Sequence, residues 1–313
     1  MRAALIRELG AVPEPAEVGD PPGGVLLEVD AAALNPLDIG VAADRFYGGH
    51  PPLPYVPGCE AVGRLGDTGR VYVYGSGLGV RRNGTLSERV DVGEALAIPI
   101  GDEVADELAL ACGIAGLAGW LPLAWRAPVR ESDCVLVLGA TGTAGRVAVQ
   151  AARVLGAERV VAAGRDSSRL ERTRELGADE TVQVRAEGLA DAFREACGGD
   201  GPTLVFDPLW NGPVAAAVEA AAPRARIVQV GQSAGPEATL RSNDVRGKQL
   251  ELLGYSNCAA PGDVVRRGYL ELLGHVSSGR IRVDVETFRL GEIATAWHRQ
   301  VEGPGAKLVV KVS

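Results

Sequence analysis

The chain has 313 residues, 46% hydrophobic and 23% charged, and its 40 acidic against 32 basic residues give a net charge of −8. This composition excludes a disordered or fibrous chain, and the negative balance repels phosphate backbones and anionic membranes, so nucleic acid and membrane surfaces are set aside as partners. The length exceeds the usual single domain, and two domains, each with its own core, are expected.

In chain order, the first hundred residues read as short strands punctuated by Gly and Pro, at 3–7, 25–31, 59–65, 70–74 and 87–92. Several alternate apolar with polar residues, as half-buried strands do. Between 102 and 125 the pattern becomes helical, with Pro122 and Pro128 as kinks or ends, and a domain boundary is expected there. From Cys134 onward, short apolar runs at 134–138, 159–163, 180–184, 203–206, 226–230 and 250–253 alternate with amphipathic stretches. That alternation predicts an α/β fold, a parallel sheet covered on both faces in doubly wound Rossmann order. A helix over 262–277, a segment 281–290, a helix near 292–301 and a strand over 307–312 complete the chain, and this tail is expected to return to the N-terminal domain.

The five cysteines, Cys59, Cys112, Cys134, Cys197 and Cys258, are odd in number and contain no C-x-x-C pair, which is no disulfide framework. No stretch of about 18 apolar residues and no cleavage-like N-terminal segment is visible, so the expectation is a cytoplasmic protein with reduced thiols.

The strongest local signal is Cys134-Val-Leu-Val-Leu-Gly-Ala-Thr-Gly-Thr-Ala-Gly145, followed by an apolar helix pattern. It reads as strand, glycine turn and helix. The G-x-G-x-x-G fingerprint is met over Ala140, Thr141, Gly142, Thr143, Ala144 and Gly145, with Ala at the first place and Gly139 before it. Gly142 allows a pyrophosphate to approach the backbone, Gly145 allows close helix packing, and the helix N-terminus offers N–H groups to phosphate. An NAD-binding unit carries Asp or Glu about 20 residues on to hold the ribose hydroxyls, and here that place holds Gly164 and Arg165. Arg165 and Arg169 are suited to a 2′-phosphate, which points to NADPH; the alternative for Arg165 is a solvated surface charge. Asp166 is read as a helix N-terminus group, because Ser168-x-x-Glu171 has the form of a capping box.

At this point the chain resembles the medium-chain dehydrogenase/reductase superfamily, and within it the zinc-independent quinone oxidoreductase-like branch. The likeness is carried by Asn35-Pro-Leu-Asp38, Arg45-Phe-Tyr47, Pro54-Tyr-Val-Pro-Gly-Cys-Glu-Ala-Val-Gly63, Gly113-Ile-Ala-Gly-Leu-Ala-Gly-Trp120, the glycine turn, Leu176-Gly-Ala-Asp179, Gln229-Val-Gly-Gln-Ser233 and Gly305-Ala-Lys-Leu-Val-Val310. It implies a mostly β GroES-like catalytic domain built from both termini, 1–112 with 258–313, around a Rossmann domain over 113–257, in a homodimer or homotetramer. It also implies cofactor contacts from Gly231, Gln232, Ser233 and Tyr255, and places Asn35 and Tyr47 facing the nicotinamide, with Tyr55 nearby. Plain readings stand beside these: Asn35 before Pro36 shapes a turn, and the tyrosines are ordinary aromatics. The zinc-dependent branch has Gly-His-Glu where Gly58-Cys59-Glu60 stands and a cysteine near Asn35, so no metal is expected. Cys59, Cys112 and Glu60 as a soft-metal site is the alternative to buried inert thiols.

Without a metal, the cofactor supplies the reaction and the protein supplies placement. The expected activity is NADPH-dependent hydride transfer to a small quinone or α,β-unsaturated carbonyl. A zinc-type alcohol dehydrogenase or carbonyl reductase and a non-enzymatic NADPH-binding protein are the alternatives.

Overall fold

The computed structural model describes residues 1–185 and 187–312. The chain divides into two compact units, Met1–Ala115 joined by the segment from Val283 onward, and Gly116–Arg282.

The first unit opens with β1 (Arg2–Leu5) and β2 (Glu14–Glu17), an antiparallel pair. It continues through β3 (Leu26–Leu34), α1 (Pro36–Ala42), β4 (Glu60–Arg64), β5 (Arg70–Tyr74), β6 (Arg89–Asp91), β7 (Leu96–Pro99) and α2 (Asp106–Ala111). In the first half of β3 the burial alternates, Leu27 and Val29 turning inward and Glu28 outward; after the irregularity between Val29 and Ala31 the strand is covered on both faces.

The second unit takes over within α3 (Ile114–Leu121), from Gly116, and runs through β8 (Cys134–Val137), α4 (Thr143–Val154), β9 (Arg159–Gly164), α5 (Ser167–Glu171) and β10 (Glu180–Gln183). Then follow α6 (Leu189–Ala196), β11 (Leu204–Asp207), α7 (Asn211–Ala220), β12 (Arg226–Gln229), α8 (Ser242–Gly247), β13 (Glu251–Gly254) and α9 (Gly262–Ser277). The chain returns to the first unit as β14 (Val285–Arg289), α10 (Ile293–Glu302) and β15 (Lys307–Lys311). The first unit's main sheet therefore has the order β14-β15-β3-β4-β5-β7, with β6 on β3, and its final strands come from the C-terminal segment.

The second unit's sheet is parallel throughout, in the order β10-β9-β8-β11-β12-β13. The strand order reverses between β8 and β11, the switch point of a doubly wound sheet. Strands β8 and β11 are buried at every position, because helices cover both faces of a parallel sheet; this is why they read as unbroken apolar runs. Among the described residues no helix is long and apolar enough to cross a membrane.

Two expectations shift. The sequence boundary after 257 assigned the helix over 262–277 to the first unit, whereas the structure groups α9 with the second. The reason is packing: a Cβ on Gly268 would stand 2.5 Å from Leu121 Cδ2, and the His275 ring lies 4.9 Å from that of Trp120. Gln150 then fastens the exit of the unit, accepting from the Arg282 N–H at 2.7 Å and donating to its carbonyl at 2.9 Å. The second shift concerns α5: Asp166, expected as a helix N-terminus group, is its N-cap, the Oδ1 accepting from the Arg169 N–H at 3.0 Å, whereas the capping box read from Ser168 does not start the helix.

Candidate functional site

The glycine turn after β8 carries three different demands. Gly139 has φ +61, a left-handed conformation that a side chain disfavours, and so it takes the first-glycine role that the fingerprint had given to Ala140. A Cβ on Gly145 would lie 2.2 Å from the Gly139 carbonyl oxygen, so the first turn of α4 can lean on the strand end only without a side chain there. Gly142 differs. Its backbone is extended at φ −81, ψ 164, and the nearest atom to an added Cβ is the Gly139 oxygen at 3.5 Å. Nothing among the described residues requires glycine at Gly142. Thr141 and Thr143 are half-buried; Thr143 opens the first turn of α4 and Ala144 follows it.

Beside this turn, β9 ends at Gly164, where a Cβ would meet Thr141 Cγ2 at 3.0 Å. Arg165 is exposed and its guanidinium forms no ion pair among the described residues, while the Gln183 amide donates to its backbone oxygen at 2.9 Å. Arg169 lies 3.7 Å from the Asp166 carboxylate, an exposed pair of little energy. The structure thus brings the glycine turn, Gly164, Arg165 and Arg169 to one sheet edge, at the C-terminal ends of neighbouring strands.

On the other side of the switch point, β11 ends in Asp207, which the sequence reading passed over. This carboxyl is wholly buried; its Oδ1 accepts from the Leu209 and Trp210 N–H groups, both at 2.9 Å, and its Oδ2 has no hydrogen-bond partner among the described residues. Burial pushes Asp207 up to about 6, against the two backbone N–H groups that favour its charged form. Those bonds hold Trp210 at φ 60, ψ −161, a region otherwise used by glycine. The loop is stitched to the one after β12: Ser233 N–H and Oγ both approach the Pro208 oxygen at 3.1 Å, and the Asn211 amide donates to Ala234 O at 2.9 Å. A Cβ on Gly231 would stand 2.9 Å from Pro208 O, so these two loops meet at Gly231, with Gln232 and Ser233 exposed beyond it. Tyr255, just after β13, is buried, edge-on to Trp125 at 6.4 Å, and donates its hydroxyl to Asn257 Oδ1 at 2.5 Å. The signal that could have revealed Asp207 was the polar residue closing an apolar run just before Pro208.

In the first unit, Asn35 and Tyr47 lie beyond opposite ends of α1 and are not brought together. Tyr47 is 83% exposed, its ring 4.4 Å from that of Phe46. Asn35 caps α1 and is 1% exposed; its Nδ2 donates to Glu60 Oε1 at 2.9 Å and its Oδ1 accepts from Lys307 Nζ at 2.6 Å. Its amide is therefore committed to protein groups, which favours the structural reading of Asn35 over direct contact with a substrate. Tyr55 is also buried, its hydroxyl without a hydrogen-bond partner among the described residues. Asp38 accepts from the Asn35 N–H at 2.7 Å; burial pushes its carboxyl up to about 6, against the Cys59 thiol that bonds to it.

These donors do not fit a zinc ion. Among the described residues no group of three or more His, Cys, Asp and Glu side chains is placed to hold a metal. Cys59 is engaged by Asp38, burial pushes the Cys112 thiol far above its ordinary range, and both Glu60 oxygens are occupied. Burial disfavours the thiolate that binds a metal, so the Cys112 thiol is a poor ligand.

Comparison with known proteins agrees with this architecture. Residues 144–273 match the family model described as zinc-binding dehydrogenase. Across 314 aligned residues the chain is 28% identical to a phenolphthiocerol/phthiocerol polyketide synthase of Mycobacterium tuberculosis, a match that covers 94% of this chain and 14% of that protein. The chain thus spans about one-seventh of that relative's length. Its structure is similar to that of an NAD-dependent alcohol dehydrogenase, with 27% identity and a TM-score of 0.86 over the whole of both chains. It is also similar to the Thermus thermophilus quinone oxidoreductase, solved with and without NADPH, with 26% identity and a TM-score of 0.82 over the whole of both. With its doubly wound sheet, its glycine turn and these relatives, the chain belongs to the medium-chain dehydrogenase/reductase superfamily and falls with that superfamily's quinone oxidoreductase-like members.

Proposed function

We propose that the chain is an NADPH-dependent reductase that passes hydride to a quinone or an α,β-unsaturated carbonyl without zinc. The observation that carries this reading is the sheet edge where Gly142 leaves open space at a helix N-terminus and Arg165, with no ion pair among the described residues, follows the end of β9. When bound, the nicotinamide supplies hydride from its C4 position. The first-turn N–H groups of α4 hold the pyrophosphate, and Gly142 lets it approach. The Arg165 guanidinium would take the 2′-phosphate, with Arg169 as a second donor. The loops of Asp207–Asn211 and Gly231–Ser233 form a ledge fixed from inside by the buried carboxyl, so that backbone groups there meet the cofactor without reorganising. Tyr47, an exposed hydroxyl, is the candidate donor that the family resemblance implies toward the oxygen that would gain charge in hydride transfer.

The structural likeness to an NAD-dependent alcohol dehydrogenase favours a second reading, an alcohol dehydrogenase or carbonyl reductase using NADH. Titration of both cofactors, followed by turnover with a panel of quinones, enones, ketones and alcohols, separates the two. The proposal expects tighter NADPH binding and consumption with quinones or enones; equal affinities with turnover only of alcohols or simple ketones would favour the second.

A further inference from the structure

We propose that the Lys307 ammonium is the resident cation of the first unit's buried pocket: it neutralises Glu60, fixes the orientation of the Asn35 amide and occupies the electrostatic place that a metal would need. The proposal rests on the zinc-free reading above and gives it a structural cause. It does not depend on which acceptor is reduced.

Lys307 is 1% exposed and Glu60 is fully buried. Two charges are placed there at a large desolvation cost, which is tolerable only when both are fully bonded. They are. Lys307 Nζ has three donors and three acceptors around it: Glu60 Oε1 at 2.5 Å, Asn35 Oδ1 at 2.6 Å and Leu34 O at 3.3 Å. Glu60 in turn accepts from Lys307 and Asn35 on Oε1, and from Tyr72 OH and the Ile114 N–H on Oε2, the latter two each at 2.7 Å. All the lone-pair directions of the carboxylate are taken.

The amide of Asn35 is oriented by this pair. Lys307 can only donate and ionised Glu60 can only accept, so Oδ1 must face the ammonium and Nδ2 the carboxylate. A flipped amide would set two donors against each other and two acceptors against each other. The pieces come from three adjoining strands, β3 running into Asn35, β4 beginning at Glu60 and β15 beginning at Lys307. A divalent ion entering here would have to displace a tethered cation from its carboxylate and would find an amide and a tyrosine hydroxyl as the remaining donors. Those are weak zinc ligands.

The test uses the whole chain as wild type, Lys307→Ala, and the double variant Glu60→Gln with Lys307→Met, read by elemental analysis and thermal unfolding. Wild type is expected to carry no stoichiometric zinc and to show no change in Tm with added zinc or chelator. Lys307→Ala is expected to lose several degrees of Tm, because Glu60 is left charged and unpaired. Added ethylammonium, which refills the cavity with a primary ammonium, is expected to restore part of that loss, whereas potassium at equal ionic strength is not. Should Lys307→Ala fail to fold, the double variant carries the test: with neither charge present it is expected to fold and to unfold closer to wild type than either single variant, Glu60→Gln or Lys307→Met. About one tightly bound zinc per wild-type chain overturns the proposal, as does a folded Lys307→Ala with wild-type Tm or one insensitive to ethylammonium. A double variant less stable than both singles does the same.

Discussion

Two glycines three residues apart in the same turn should respond oppositely to the same added methyl group. Gly142→Ala places a Cβ on a backbone already in an extended, widely allowed conformation, with its nearest neighbour at 3.5 Å, an ordinary contact. Stability without cofactor should therefore stay within about 0.5 kcal/mol of wild type. The methyl group occupies the space facing the helix N-terminus, however, and lengthens the hydrogen bonds to a pyrophosphate. Loss of one charged hydrogen bond, about 1.5 to 3 kcal/mol, weakens NADPH binding roughly 10- to 150-fold. Gly145→Ala is the reverse case. Its Cβ would lie 2.2 Å from Gly139 O and 2.8 Å from Ala140 Cα, both backbone atoms, so α4 must move away from the strand end by about an ångström. Overpacking of this kind costs about 1 to 3 kcal/mol, a fall of roughly 2 to 12 °C in Tm. Calorimetric unfolding of the cofactor-free proteins and titration with NADPH measure the two quantities separately. The reasoning is refuted if Gly142→Ala binds NADPH as tightly as wild type, or if it loses as much stability as Gly145→Ala.

Three further outcomes are expected. Arg165→Ala should weaken NADPH binding roughly 10- to 150-fold and leave NADH binding nearly unchanged, as followed by fluorescence titration; equal loss for both cofactors would make Arg165 a solvated charge. Tyr47→Phe, at an exposed site, should leave Tm unchanged and lower turnover with a saturating enone on the order of 100-fold, a drop that stopped-flow absorbance would detect. Asp207 is held at about 6 against an ordinary 3.8, so the native state binds its proton more tightly than the unfolded chain does. The stability difference between wild type and Asp207→Asn should therefore shift in favour of wild type by about 2 kcal/mol as pH falls from about 7 to about 4; a difference that is flat with pH, measured by denaturant titration, would count against the burial of an unpaired oxygen.

The parallel sheet was legible because its cause is local: a strand covered on both faces must be apolar at every position, and β8 and β11 announce themselves in that way. The glycine turn was legible for the same reason, although Gly139, not Ala140, takes the left-handed place. What could not be read from one stretch of chain was any arrangement built across long separations. Glu60 and Lys307 are 247 residues apart, and neither Gly58-Cys59-Glu60 nor Gly305-Ala-Lys307 indicates that the two residues neutralise each other inside a sheet. For that reason Asn35, singled out beside Pro36, looked free to face a ligand, while in the structure both ends of its amide are spent on that pair. The packing of Gly268 on Leu121 that keeps α9 with the second unit joins residues far apart in the chain, so the boundary expected after 257 had no local signal to correct it.

The most direct test of the proposed reaction is isotopic. The protein is mixed with NADPH carrying deuterium at C4 and with each member of a panel of α,β-unsaturated carbonyls and quinones, and the products are examined by mass spectrometry and NMR. The account predicts that for at least one enone a single deuterium arrives at the β-carbon, that NADPH is oxidised in equal amount, and that zinc chelators do not slow the transfer. Absence of NADPH oxidation with every acceptor, or deuterium delivered only to the carbonyl carbon of a simple ketone in a chelator-sensitive reaction, would contradict it.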